Sequence, residues 1–341
     1  MTKSRPAGFT PPYDAYEARF RDSTKPLVAA FIGIQDRGGD VEVTVNRLHD
    51  LLAGPDGPGS MERGWHVDDP GAYTRLVMAY WRDHEAFERW YAQRACQQWL
   101  CDLTCDPLVG RWIEISKLLP RGIDTLIANP KVHWGIAQIA DDVEVTPDHA
   151  YWGGTRDRIR MSEESDLVCA AGPDLPDAKK ISGVGAIVDV QMPAQTVVAR
   201  GGPDWSKCPA DEAVIFKNSV YPAYVAGGRY LRNHPQEAHC YTAYLVQETD
   251  ETGRDVLRNH LIAYFVQLSD IENWTRNHPT HLEIYGRFMA MVQQLGRMPD
   301  MNLYHEVSVI PAGGLTATYV NCLPSTGLLR FGNVRKNEAG R

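Results

Sequence analysis

The sequence predicts an α+β protein built from two ferredoxin-like halves. Three observations carry that expectation. The stretch LVMAYWRDHEAFERW (76–90) is echoed by HLIAYFVQLSDIENW (260–274), with Ala79–Tyr80 matching Ala263–Tyr264 and Trp90 matching Trp274 at one offset of 184. IEISKLLP (113–120) is echoed by HEVSVIP (305–311), with Glu114 and Ser116 matching Glu306 and Ser308 at an offset of 192. Each copy also turns from an apolar strand-like run into a polar helix start at the same place, the alternation of an α+β unit.

Taken in order, PLVAAFIGIQ near residue 30 is a continuous apolar run and reads as the first strand of the N-terminal half. HCYTAYLVQE near residue 243 reads as the opening strand of the C-terminal half. In the second echo Ser269 and Glu272 form an S-x-x-E capping box, which starts a helix. After Pro279 the apolar positions His281, Tyr285, Phe288 and Val292 follow a spacing of four, three and four, one face of a helix with Thr280 as its N-cap. Leu303, His305, Val307 and Val309 alternate, so they share one face of a strand. The change of offset places a small insertion around 294–299. Residues 1–131 form the expected N-terminal half with its arm, and 233–341 the C-terminal half. The stretch 132–232, richer in Gly, Pro and Asp, reads as loops and strands that line a cavity.

A chain of 341 residues is long enough for a large core. A formal charge of −8 without a basic patch argues against nucleic acid or an anionic membrane as partner. There is no apolar h-region at the amino terminus and no run approaching the ~20 apolar residues that span a bilayer. Seven cysteines, an odd number in no framework pattern, suit reduced thiols in the cytoplasm. Cys96, Cys101 and Cys105 hint at an iron–sulfur or zinc site, but without a C-x-x-C pair they read equally as buried or bystander thiols.

Two imidazoles stand out against the apolar framework. At the echo offsets His281 corresponds to Gln97 and His305 to Ile113, so the framework alone does not require either. Each is a satisfied core histidine, a catalyst or a metal ligand. An apolar wall below an imidazole suits a haem, which needs a dry slot and a neutral nitrogen. His278, His281 and Glu306 invite a non-haem two-histidine, one-carboxylate site, but His278 precedes a proline and Glu306 should face away from His305. Arg156, Arg158 and Arg160, read as a strand, would point one way, either holding an anion or lying on a solvated face. Phosphate-binding, G-x-S-x-G and H-E-x-x-H motifs are absent.

HPTHLEIYGRF (278–288), LYHEVSVI (303–310), YWGGTRDR (151–158) and NCLPSTGLLR (321–330) together resemble the haem-containing aldoxime dehydratases, as do TPPYDAYEARF (10–20) and GIQDRGGD (33–40). The resemblance runs over nearly the whole chain. It implies a fold of the dimeric α/β-barrel type, with two ferredoxin-like halves, one haem b in the second half, and a homodimer. It implies that His281 is the axial ligand of the haem iron and that His305 is the distal acid and base. It likewise implies that Arg158 is the distal arginine and that Asp124, in GIDTLIA (122–128), stands where the family often has a supporting glutamate. Near RGGPDW (200–205) the family pattern reads Arg-Ser-Gly, with the serine bonded to the substrate hydroxyl; here that position is Gly201. The implied reaction is dehydration of a small-molecule aldoxime to a nitrile and water, with the oxime nitrogen on ferrous iron. Three alternatives stay open: a haem enzyme of this family acting on another N-oxygenated or N–N compound, a haem sensor or carrier without catalysis, and a non-haem binder of the same barrel type.

Overall fold

The computed structural model of the chain describes residues 3–67, 71–103 and 106–335. A short strand β1 (Tyr16–Arg19) precedes a first run of elements. This run is strand β2 (Leu27–Asp36), helix α1 (Val41–Ala53), strands β3 (Ser60–Val67) and β4 (Tyr73–Trp81), helices α2 (His84–Ala92) and α3 (Arg94–Cys101), and strand β5 (Val109–Leu118). Strands β6 (Ile123–Ile127) and β7 (Asp142–Val145), helix α4 (Gly154–Arg158) and strand β8 (Ile187–Gln191) follow. The second run is strand β9 (Val197–Asp204), helices α5 (Ala210–Ile215), α6 (Tyr221–Asn233) and α7 (Pro235–Ala238), strands β10 (Cys240–Thr249) and β11 (Asp255–Phe265), helices α8 (Leu268–Asn277) and α9 (Pro279–Leu295), and strand β12 (Asn302–Val309). Strands β13 (Leu315–Val320) and β14 (Asn333–Val334) complete the order.

The expected closed barrel is not what the chain forms. Its strands make one 14-stranded antiparallel sheet in the order β14-β8-β13-β5-β2-β4-β3-β10-β11-β9-β12-β6-β1-β7. The physical reason lies at β5 and β12. The free edge of β5 pairs with β13, and the free edge of β12 pairs with β6. Those edges would have to find each other to close a barrel. Instead they are extended by strands drawn partly from the middle of the chain and from the arm. The two runs occupy consecutive, mirror-related places, β5-β2-β4-β3 and then β10-β11-β9-β12, joined where Gln247 to Thr249 pair with Trp65 to Arg63. The second run therefore begins at β9, and the strand near residue 243 is its second strand.

Period-two geometry explains why β2 is apolar throughout. Val28, Ala30, Ile32 and Ile34 pack with Val45, Leu48, Phe87 and Trp90 of α1 and α2, whereas Leu27, Ala29 and Phe31 join a central core with Tyr80, Tyr264 and Tyr319. Each such aliphatic or aromatic side chain contributes roughly 1.5–3 kcal/mol on burial. Asp83 caps α2 by accepting from the Glu85 backbone N–H, which turns the chain from β4 into the helix. The corresponding box at α8 differs from the sequence expectation. Gln267 is the N-cap and Asp270 its partner, two residues before Ser269 and Glu272.

Two buried carboxylates sit in the central core, and each draws a phenol from the other run. Tyr80 on β4 donates to Glu306 on β12 at 2.5 Å, and Tyr264 on β11 donates to Glu114 on β5 at 2.5 Å. Tyr304 and the Ile136 N–H complete the partners of Glu306; Tyr244 and Tyr319 complete those of Glu114. Among the described residues no helix is long and apolar enough to cross a membrane.

Candidate active site

A cavity of about 810 Å³ opens between the β9–β12 face of the sheet and helices α6, α8 and α9. Its size and mixed, largely apolar lining are those of a small-molecule or cofactor site. His281, Tyr285 and Phe288 line it from α9 at the spacing expected; Ile284 joins them, and Val292 does not reach the cavity. Pro279 occupies the first turn of α9, but the cap is His278, not Thr280: its ring accepts from the Thr280 N–H at 3.3 Å. The Thr280 hydroxyl instead takes the Trp274 indole N–H at 3.1 Å. The Trp274 ring packs edge-on against His281 at 4.9 Å, and Trp152 does so from the cavity rim at 6.3 Å.

Burial pushes the His281 ring down to about 4, only partly opposed by the Thr275 backbone. Its Nδ1 is buried and makes no hydrogen bond of regular geometry. The ring is therefore neutral at ordinary pH, the form in which imidazole binds a metal. A neutral imidazole at the head of an apolar, aromatic-lined slot of this volume fits the haem that the resemblance implies. His305 faces it across the cavity, close enough that its charge also lowers the His281 pKa.

His305 is delivered by β12, directly opposite Gly201 on β9 and Leu126 on β6. Opposed residues share a face of the sheet, so all three look into the same space. The glycine matters here: a Cβ built at position 201 would lie 2.8 Å from the His305 Cβ, closer than real Cβ atoms come. Asp124 lies on β6 opposite Val307, on the same face as His305 but behind the cavity wall. Its Oδ2 is 3.6 Å from His305 Nε2.

Arg158 clamps that carboxylate. Its Nε donates to Asp124 Oδ1 at 2.5 Å and its Nη2 to Oδ2 at 3.1 Å, while Nη2 also lies 3.3 Å from His305 Nε2. Both side chains of the pair are essentially fully buried. Burial works to raise the Asp124 pKa, but the Arg158 charge and then the His305 contact hold it below the usual carboxylate range. Burial likewise works against the Arg158 charge, and Asp124 more than restores it.

The expected strand over Arg156, Arg158 and Arg160 is absent. Gly153 adopts a left-handed conformation (φ 106°) and starts the one-turn helix α4, so the three guanidinium groups diverge. Arg156 pairs with Glu272, Arg158 with Asp124, and Arg160 with Asp22. The two-histidine, one-carboxylate site does not assemble either. His278 stacks on Tyr230 at 4.0 Å, and Glu306 is held by Tyr80 and Tyr304 on the far face of β12. Burial pushes the Cys96 thiol up to about 12, and Cys105 lies outside the described residues. Among the described residues no cluster of three or more His, Cys, Asp or Glu could hold a metal ion.

Three contributors escaped sequence reasoning. The backbone carbonyl of Asp148 accepts from Arg158 Nη1. His149 lines the cavity with its ring against Tyr13 at 5.1 Å. Tyr224 also lines it and donates to the Gly201 carbonyl at 3.1 Å. Asp148 and His149 sit just ahead of YWGGTRDR, but no periodicity marks them. Tyr224 would have required knowing that α6 faces β9.

Residues 30–328 match the family described as haem-containing dehydratase. The chain is 30% identical to the phenylacetaldoxime dehydratase of Bacillus sp. (strain OxB-1), over 96% of this chain and 94% of that protein. It is 30% identical to the aliphatic aldoxime dehydratase of Rhodococcus globerulus, over 97% of this chain and 94% of that protein. A crystal structure of an aldoxime dehydratase in complex with butyraldoxime superposes with a TM-score of 0.87 at 27% identity, covering 97% of this chain and 92% of that one.

Proposed function

The chain belongs to the haem-containing dehydratase family, and on that premise we propose that it dehydrates an aldoxime, R–CH=N–OH, to a nitrile and water, with His305 moving the proton. The observation that carries this reading is the pairing of a neutral, cavity-lining His281 with a second imidazole across the same cavity, held from behind by Arg158 and Asp124. His281 would hold the haem, which in its ferrous form would supply an electron-rich Lewis-acid centre for the oxime nitrogen.

The rest is chemistry of the chain itself. Nε2 of His305 lies between Arg158 and Asp124, which leaves Nδ1 to the cavity. A proton passes from Nδ1 to the departing hydroxyl oxygen and makes water. The same nitrogen then takes the proton from the aldoxime carbon as the C–N triple bond completes. One proton leaves the ring and one returns, so the residue serves as acid and then as base without net redox change. Arg158 keeps Asp124 ionised, and together they fix the ring in one orientation. Leu126, Ala199 and Val307 line the same wall and exclude water.

The test is turnover of a panel of aliphatic and aryl aldoximes by the dithionite-reduced holoprotein. Nitrile should form, and His305→Ala should abolish it while the Soret band persists. No nitrile from any member of the panel overturns the reading.

Gly201 favours one second reading. With no hydroxyl opposite His305, the leaving oxygen loses a donor that the resemblance leads one to expect, and such a bond is worth about 0.5–1.5 kcal/mol net. A different N-oxygenated or N–N substrate would not need that donor. Turnover of such compounds, with all aldoximes inert, would favour it. The homodimer is part of the same proposal. It rests on the resemblance, and sedimentation at micromolar concentration tests it.

A further inference from the structure

The loop that carries Arg158 is tied down by the first few described residues of the chain. Lys3 Nζ meets Asp148 Oδ2 at 2.5 Å, and Arg5 Nη1 lies 3.4 Å from Asp148 Oδ1. The backbone N–H groups of Ser4 and Arg5 donate to the two oxygens of Asp157 at 2.9 and 3.0 Å. Between these carboxylates the Tyr151 hydroxyl bridges Asp148 (3.0 Å) and Asp157 (2.7 Å), with Phe9 edge-on to its ring at 5.6 Å. These contacts join positions some 150 residues apart, so they are built by the tertiary fold and not by local propensity.

The loop needs such a tie. It turns through two left-handed residues, Ala150 (φ 61°) and Gly153 (φ 106°), the first of which carries a Cβ. Its two carboxylates share one phenol and repel each other unless cations face them. Lys3 and Arg5 oppose the charge of Asp148, and the two N–H groups satisfy Asp157 by hydrogen bonding. What the loop holds in place is the Asp148 carbonyl, and that carbonyl receives the third anchor of the Arg158 guanidinium. Packing at the tie is close: a Cβ at Gly153 would fall 2.6 Å from that of Ser4, and Ser4 itself lines the cavity.

We propose that Lys3, Ser4 and Arg5 are positioning residues for the reaction: as a strap across the 148–157 loop, they set the guanidinium of Arg158 beside His305. The inference rests on the reading that His305 moves the proton. Exposed ion pairs are individually weak, so the strap must be removed as a unit. Two variants do this in the full holoprotein. Lys3→Ala/Arg5→Ala removes the cations, and a chain that begins at Pro6 after an initiating methionine removes the backbone donors as well.

In both, kcat for nitrile formation is expected to fall roughly three- to ten-fold, more in the truncation, because small displacements of an orienting group are costly. KM in the double variant, haem content and thermal midpoint should hold. Lys3→Arg should restore the rate when paired with native Arg5. A readout independent of turnover is the C–O stretch of the ferrous carbonyl complex, which senses charge beside the bound gas and should shift in both variants. An unchanged kcat and an unchanged C–O stretch overturn the inference, and so does a joint loss of haem and thermal midpoint, which would mark a merely structural tie. If the unaltered protein makes no nitrile, the functional reading fails, yet the C–O stretch still decides whether the strap sets Arg158.

Discussion

Replacing Arg158 by methionine removes one partner of an ion pair whose side chains are 2% and 0% exposed. The Asp124 carboxylate is then left in a dry site, without the two guanidinium bonds that now satisfy it. Breaking a buried pair in this way costs about 3–5 kcal/mol at neutral pH. The pH dependence follows from the forces on Asp124. In the native protein Arg158 and His305 together outweigh burial and hold the carboxyl below the usual carboxylate range, so its stabilising contribution is constant from pH 5 to 8 and is lost only as pH falls through that depressed value. Without Arg158 the burial effect prevails and the folded-state pKa rises above 3.8. Stability is then retained at acidic pH and lost as pH climbs through the raised value. Urea unfolding of the haem-free chain at pH 5 and pH 8 should therefore show a larger loss at pH 8. Arg158→Met/Asp124→Leu, which leaves neither charge behind, should recover most of it. A loss below ~1 kcal/mol at pH 8, or a double variant as unstable as the single one, would refute the reasoning.

His281→Ala should abolish the Soret band of the purified protein, and added imidazole should restore part of it by occupying the vacated space. Gly201→Ser should lower kcat instead of raising it, because a Cβ at 2.8 Å from that of His305 forces β9 and β12 apart; Gly201→Ala should do the same, and a gain in rate from serine would count against this account. Between pH 6.5 and about 4 the unfolded chain takes up a proton that the buried His281 ring refuses, so the haem-free protein should lose stability as pH drops through that window. His149 and His260, also pushed down by burial, add to the slope, which urea midpoints at pH 7 and pH 5 will show.

Much of the site is written in short-range pattern. The four-three-four spacing after Pro279 places His281 over Tyr285 and Phe288, and strand alternation turns His305 and Glu306 to opposite faces. Cap identity is less legible. His278 can cap α9 because its ring stacks on Tyr230, a residue of α6 that no local rule connects to it. Backbone contributions leave no residue-type signature at all, and the Asp148 carbonyl that anchors Arg158 is one of them. The extent of the sheet was hidden for a related reason. Strands β1, β7 and β14 are two to four residues long, and their partners lie more than a hundred residues away.

The two phenol–carboxylate bonds in the central core have a reach beyond packing. Tyr80 serves the acceptor of the second run and Tyr264 that of the first, so each run, cut free, leaves its buried acid short of at least one donor; Glu306 would keep only Tyr304 from its own run, and Glu114 would keep no phenol. An isolated fragment would expose its acid together with the phenol that serves its counterpart, a surface complementary to the other run. The arrangement has the logic of a handshake: one donor and one acceptor, repeated, are enough to specify a twofold meeting. Joining both participants in a single polypeptide makes the encounter intramolecular, and frees one run to specialise around His281 and His305 while the other keeps the grip.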